Sequence, residues 1–317
     1  MVAYRTLLVL AALVACLAGA AAAPVLGKRI VNGFLTPNSM APYVVFVTRG
    51  MGGGMVYLCG GSIISPNHIV TAAHCVYDDN TKAAAVPANM TIGYGSMNKS
   101  QQKKTVATAV YMHPKSYVGG KFNGTYDIAV IKVPTLAFDS STAKIGIYTG
   151  AIQPGQNLLA MGWGQTEPNA LMLSSLRGVI RQAGNAAQCK TKGTDYSVNN
   201  GPTICSPGLL TPEQSTCSGD SGTAIAINSN GTMLLAGLNS VAVTAGGGNC
   251  SSPTTTHFYT RVGYHIDFVT NVTGLPQSFF GPVSGKSVGL GPVAAPVTVT
   301  QVVLVTPTNM PKWLANY

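Results

Sequence analysis

The chain has 317 residues, 46% hydrophobic and 9% charged, and its nineteen Lys and Arg against nine Asp and Glu leave a formal charge of +10. Lys99, Lys103 and Lys104 form one basic cluster without interleaved aromatics, which excludes nucleic-acid binding and leaves only a mild attraction to acidic surfaces or glycans. Beyond the N-terminal segment no apolar run reaches the roughly 18 residues of a membrane-crossing helix, so no membrane insertion is expected.

Residues 1–22 read as a secretory signal, with Arg5, an apolar core over residues 7–18 and small residues after it. Pro24 disfavours a cut directly after Ala23 and moves it to residues 20–22. The short segment 23–29 ends in Lys28-Arg29, a dibasic processing signal, and a cut after Arg29 creates a new ammonium at Ile30. Loss of Arg5, Lys28 and Arg29 leaves sixteen basic and nine acidic residues, near +7. Cys16 leaves with the signal. Cys59, Cys75, Cys189, Cys205, Cys217 and Cys250 remain and should pair in an extracellular location, although six cysteines permit about fifteen pairings. Sequons at Asn89, Asn98, Asn123, Asn230 and Asn271 are expected glycosylation sites, and a sixth at Asn249 is set aside because it adjoins Cys250.

Farther along, Gly is abundant, short β-branched runs recur and amphipathic helical patterns are nearly absent, which predicts an all-β domain. Apolar runs at residues 61–64 and 69–70 flank a Ser65-Pro66-Asn67 turn, and Thr71-Ala72-Ala73-His74-Cys75 then presents a histidine on small residues. Alone, such a histidine is usually an ordinary surface or core residue. The lysine cluster falls in a hairpin, Asp127 opens a buried aliphatic strand over residues 127–133, and residues 134–150 form a linker. Residues 264–269 have the apolar spacing of a closing helix. The Pro/Gly/Val-rich stretch 275–317 reads as a flexible tail in which residues 297–305 can pair as an edge strand, and its polar end excludes a lipid-anchor signal.

Cys217-Ser218-Gly219-Asp220-Ser221-Gly222 carries the most chemistry. A serine hydroxyl becomes a useful nucleophile only with a base to take its proton and donors for its tetrahedral product. Gly219 lets the backbone turn and aim its N–H, with that of Ser221, at one point. Asp220 needs a cation to justify a carboxylate beside a nucleophile.

These residues resemble the trypsin/chymotrypsin-type secreted serine endopeptidases, whose motifs recur here in order: Ile30-Val31-Asn32-Gly33, Thr71-Ala72-Ala73-His74-Cys75, Asp127-Ile128-Ala129 and Gly219-Asp220-Ser221-Gly222. The resemblance covers about residues 30–272, within a domain expected over 30–274. It implies two Greek-key antiparallel β-barrels around a catalytic cleft, with a C-terminal helix. It implies a triad in which His74 is general base and then acid, Asp127 orients the imidazole and Ser221 attacks, with Gly219 and Ser221 as oxyanion hole. It pairs the Ile30 ammonium with Asp220, Cys59 with Cys75, Cys189 with Cys205 and Cys217 with Cys250, and it makes Gly162-Trp163-Gly164 a turn entering the second barrel. An activating protease and peptide or protein substrates follow as partners of a monomer that needs no cofactor. Calcium is not expected, because residues 91–105 contain no acidic ligand.

The same resemblance places Ser215, Thr216, Ser240, Ala242 and His257 in the primary specificity pocket. Serine at the floor removes the charge that would pair with Lys or Arg, so trypsin-like specificity is not expected. Ala242 and His257 stand where glycines usually open the pocket. Either His257 fills it, favouring small or medium apolar side chains, or a protonated His257, helped by Thr216 and Asn239, receives an acidic one. Thr223 follows Gly222 where the family usually has glycine, so a displaced oxyanion loop is a further expectation. The competing function is a catalytically weak or inactive binding or inhibitory homologue on the same fold. An esterase on another fold would order its triad differently.

Overall fold

The computed structural model describes residues 33–166, 171–189, 196–211, 214–246, 250 and 252–282. The signal segment, the cut after Arg29, Ile30, Asn249 and the edge strand expected at residues 297–305 lie outside them.

The first sheet has seven antiparallel strands in the order Lys103–Val106, Met90–Tyr94, Val44–Gly52, Met55–Ser65, His68–Thr71, Ala129–Lys132 and Ala109–Met112. The hairpin expected at Ser65-Pro66-Asn67 forms, with Ser65 opposite His68 and the Ser65 hydroxyl bonded to Asn67 Oδ1 at 3.0 Å. The lysine cluster sits on the hairpin that pairs Tyr94 with Lys103.

The second sheet has eight strands, running Phe34–Leu35, Arg177–Gln182, Asn157–Gly162, Ala224–Ser229, Thr232–Thr244, Thr255–Arg261 and Thr203–Pro207, with Gly146–Ile147 laid on Thr232–Thr244. That last pairing is parallel, the exception in an otherwise antiparallel architecture, and it is made by the linker as it enters the sheet. Asn230-Gly231 turns the hairpin between Ala224–Ser229 and Thr232–Thr244 with both residues at positive φ (52° and 84°), the geometry that two-residue connections favour. Phe34–Leu35 precedes the first sheet in sequence but pairs with Arg177–Gln182 of the second, so the N-terminal strand ties the halves together.

One core cluster runs through both sheets. At its centre Trp163 is fully buried, meets Phe46 edge-on at 5.5 Å between ring centroids and donates Nε1–H to the Met97 carbonyl at 2.8 Å. The closing helix appears at Ile266–Thr273, burying Ile266 and Val269 and ending at Gly274 (φ 69°), whose N–H caps Thr270. The chain stays packed beyond the boundary drawn at Gly274. Phe280 is 1% exposed, and Lys144 Nζ donates to the Phe279 carbonyl at 2.7 Å while lying over the Phe279 ring. The apolar side chains after the composition change are what hold it there. All three disulfides implied by the resemblance are present, Cys59–Cys75, Cys189–Cys205 and Cys217–Cys250.

Replacing Trp163 with Ala removes the largest fully buried side chain at this junction. Equilibrium urea unfolding should show a loss of about 3–5 kcal/mol. A loss below about 1 kcal/mol would mean that Trp163 does not hold the sheets together.

Candidate active site

Asp127 enters from the first sheet, two residues before the buried strand that begins at Ala129, and follows a 3₁₀ turn at Gly124–Tyr126. It is fully buried and accepts three hydrogen bonds: from the His74 amide at 3.0 Å, His74 Nδ1 at 2.8 Å and Ser240 Oγ at 2.5 Å. Burial alone would raise its pKa, but the His74 charge and these donors outweigh burial and hold it below the usual carboxylate value. His74 stands on a one-turn helix, Ala73–Val76, clamped to the strand Met55–Ser65 by Cys59–Cys75. Burial lowers its pKa and Asp127 raises it, with the net shift upward from 6.5. Tyr57 and Phe122 stand edge-on to the imidazole at 6.5 and 6.0 Å, two walls that no motif revealed.

Ser240 was expected in the pocket wall; it lines the neighbouring cavity, and its hydroxyl donates to Asp127. A register shift between Asn239 and Val241 accounts for this, since bulges re-aim side chains. Asn239 leaves the pocket reading, because its buried amide donates to the carbonyls of Met161 and Thr223.

Ser215, Thr216 and His257 do come together. His257 is 3% exposed, with Nε2 2.9 Å from Ser215 Oγ and 3.3 Å from the Cys250 carbonyl, and Nδ1 3.3 Å from Thr216 Oγ1. A carbonyl only accepts, so the proton belongs on Nε2 and Nδ1 accepts from Thr216. Burial, and secondarily Arg181, push the His257 pKa down to about 3. The expectation of a protonated His257 receiving an acidic side chain is therefore corrected: the ring is neutral and both nitrogens are engaged. Ala242 lies opposite His257 in the sheet register, exposed at the rim. Beside this region a cavity of about 650 Å³ is lined by Phe122, Asn123, Tyr196, Ser240, Val241 and Phe258, among others.

Among the sequons, Asn89, Asn230 and Asn271 are exposed, Asn98 is half-buried, and Asn123 lies on the cavity with Oδ1 bonded to the Thr125 amide at 3.2 Å. Cys59, Cys75 and His74 bring potential metal-ligand atoms together, but the two sulfurs are committed to a disulfide.

The Ser221 loop reaches the His74 loop through backbone contact. Gly60 N–H donates to the Ser221 carbonyl at 2.8 Å, and Gly222 abuts Thr71 and Ala72 so closely that a Cβ would lie 2.2 Å from Thr71 Oγ1. Among the described residues no hydrogen bond joins Ser221 Oγ to His74, a contact that commonly tightens only with substrate bound. Gly219 has φ 92°, as the tight turn requires. The amides of Asp220, Gly222 and Thr223 all donate to backbone carbonyls, whereas among the described residues those of Gly219 and Ser221 meet no acceptor. Thr223 is accommodated by Gly60, where a Cβ would fall 2.0 Å from Thr223 Oγ1.

Asp220 is 1% exposed and accepts from the Gly164 and Cys217 amides, each at 2.7 Å. Burial outweighs these two bonds and pushes its pKa up to about 7. The Gly162-Trp163-Gly164 glycines have a second purpose here: a Cβ on Gly162 would sit 1.8 Å from Asp220 Oδ1, and one on Gly164 2.6 Å from the carboxylate. Gly162→Ala should therefore lower stability by about 1–3 kcal/mol in thermal unfolding. An unchanged midpoint would show that the carboxylate can move aside.

The trypsin family model matches residues 30–269. Trypsin-1 of Astacus astacus is 26% identical over 235 residues, covering 72% of this chain and 93% of its own length. Chymotrypsin-like elastase family member 1 of Homo sapiens is 25% identical over 253 residues, covering 78% and 94%. Trypsin of Squalus acanthias is 26% identical over 242 residues, covering 76% and 94%. With four ordered motifs, two strand-rich halves and a family match across most of its length, the chain belongs to the trypsin family of serine endopeptidases.

Proposed function

We propose that the protein is a secreted endopeptidase, made as a zymogen, that hydrolyses peptide bonds through an acyl-enzyme on Ser221. The observation that carries this reading is the buried Asp127 carboxylate bonded to His74 Nδ1, with the Ser221 loop packed against the His74 loop. Asp127 orders the imidazole so that Nε2 faces away from the acid and can take the Ser221 proton. The unengaged amides of Gly219 and Ser221 are suited to the oxyanion that forms when Oγ adds to the carbonyl. The leaving amine takes the proton from His74, and water then repeats the sequence to release the acid. Beyond Asn239, the strand Thr232–Thr244 pairs on one side with Thr255–Arg261 and, among the described residues, has no strand on the other, next to the cavity, where an extended peptide could add.

Asp220 supports the zymogen reading. Its buried carboxylate is held by two amides alone among the described residues, and a freed Ile30 ammonium, three residues before Gly33, would supply the missing cation. Ser215 and the neutral, space-filling His257 favour small or medium apolar side chains before the cut and disfavour Lys and Arg.

Cleavage after Arg29 should make Ser221 reactive to a fluorophosphonate, with labelling abolished in Ser221→Ala and absent from an uncleaved Arg29→Ala precursor. Folded, correctly cut protein that takes no label would instead be a binding or inhibitory homologue. The pH profile supplies a separate check. His74 must be neutral to act as base and its pKa is raised, so the hydrolytic rate should fall as pH drops, with a midpoint above 6.5. In Asp127→Asn burial acts on His74 without the acid's charge, so the midpoint should move to lower pH while the rate falls by about 10⁴. An unmoved midpoint would separate Asp127 from the base.

A further inference from the structure

Behind the pocket lies a charge that the proposed chemistry does not use. Arg181, in the strand Arg177–Gln182, is 1% exposed. Its Nε donates to Ser206 Oγ at 3.2 Å, Nη2 to the Ser206 carbonyl at 3.1 Å, and Nη1 to the carbonyls of Thr211 and Gln214. Every one of these acceptors is neutral. Among the described residues no carboxylate pairs with it, the ion pairs there being His74–Asp127 and Lys103–Asp139. The Tyr259 phenol beside it stays protonated, because burial outweighs the pull of the guanidinium.

The position of this cation gives it a consequence. Gln214 immediately precedes Ser215, and Ser206 is the cross-strand partner of His257, so the charge stands directly behind the pocket floor. The side chains expected to line the pocket there, Ser215, Thr216 and His257, are all neutral. An ordinary structural tie between residues 211–214 and the strand Thr203–Pro207 would need the hydrogen bonds but not the charge. A fixed cation in a water-poor site acts across such a layer far more strongly than it would through solvent.

We propose that Arg181 is a specificity-determining residue that makes this pocket select by charge, admitting the carboxylate of a short acidic side chain in preference to its amide and rejecting ammonium and guanidinium groups. The proposal rests on the endopeptidase reading and adds acidic side chains to the small apolar ones that size allows. Of the titratable groups facing the site, His257 and Tyr259 are neutral and the guanidinium keeps its proton, while Asp220, which acts on Tyr259 and has its pKa pushed up to about 7, can change charge. The preference is therefore compared at about pH 8.5, above the raised His74 and Asp220 values.

The test uses the cleaved, fluorophosphonate-titrated enzyme and peptides identical except for Asp against Asn, Glu against Gln, and Lys before the cut. The kcat/KM for acid over amide should be at least about fivefold in the wild type, with Lys lowest, and should drop below about twofold in Arg181→Met while surviving in Arg181→Lys. A wild-type ratio under fivefold, or one above twofold in Arg181→Met, overturns the proposal. Should Arg181→Met not fold, the wild-type ratio decides alone. Labelled enzyme without acid preference removes only this inference, whereas enzyme that neither labels nor cleaves any peptide removes the endopeptidase reading with it.

Discussion

A charged carboxylate at zero exposure is the constraint around which this molecule is organised. Asp127 could not remain ionised in such a place without donors, and its donors come from both sheets: His74 from the first and Ser240 from the second. The two halves must therefore dock accurately for the acid to be satisfied. Trp163 on Met97 and Phe46, the Phe34–Leu35 strand on the second sheet and His265 Nε2 on the Thr125 carbonyl at 3.0 Å all hold that docking.

Space is controlled as closely as charge. Asp220 occupies room that exists only because Gly162 and Gly164 lack side chains, and Thr223 occupies room that Gly60 leaves. Since Thr223 replaces a residue without a side chain in the family pattern, Gly60 is the compensation that lets the loop keep its turn. Charge and space meet again at His257. Burial, with Arg181 behind it, keeps that ring neutral, and Ser215 and Thr216 fix its orientation.

Much of this was legible in the residues themselves. The turn at Ser65-Pro66-Asn67, the strand after Asp127 and the helix before Gly274 follow from local rules of turn residues, aliphatic runs and apolar spacing. The parallel pairing of Gly146–Ile147 was not legible, because two residues carry no periodicity, and the packing of Phe280 was hidden by a composition that reads as a tail. Ser240 was expected in the pocket wall, and its bond to Asp127 was not foreseen. A bulge turned it, and a bulge depends on the pairing register of two strands, which no short motif encodes.

By itself the sequence determined the all-β class and the set of reactive residue types, His74, Asp127 and Ser221 in their order. Covalent identity and local backbone preference suffice for those. Only the tertiary structure decided what surrounds them: that His257 is neutral, that Tyr57 and Phe122 wall the imidazole, and that Arg181 stands unpaired by carboxylates behind the pocket among the described residues. Protonation and field depend on burial and on neighbours distant in the chain. Those neighbours come into being only when the two sheets close on one another.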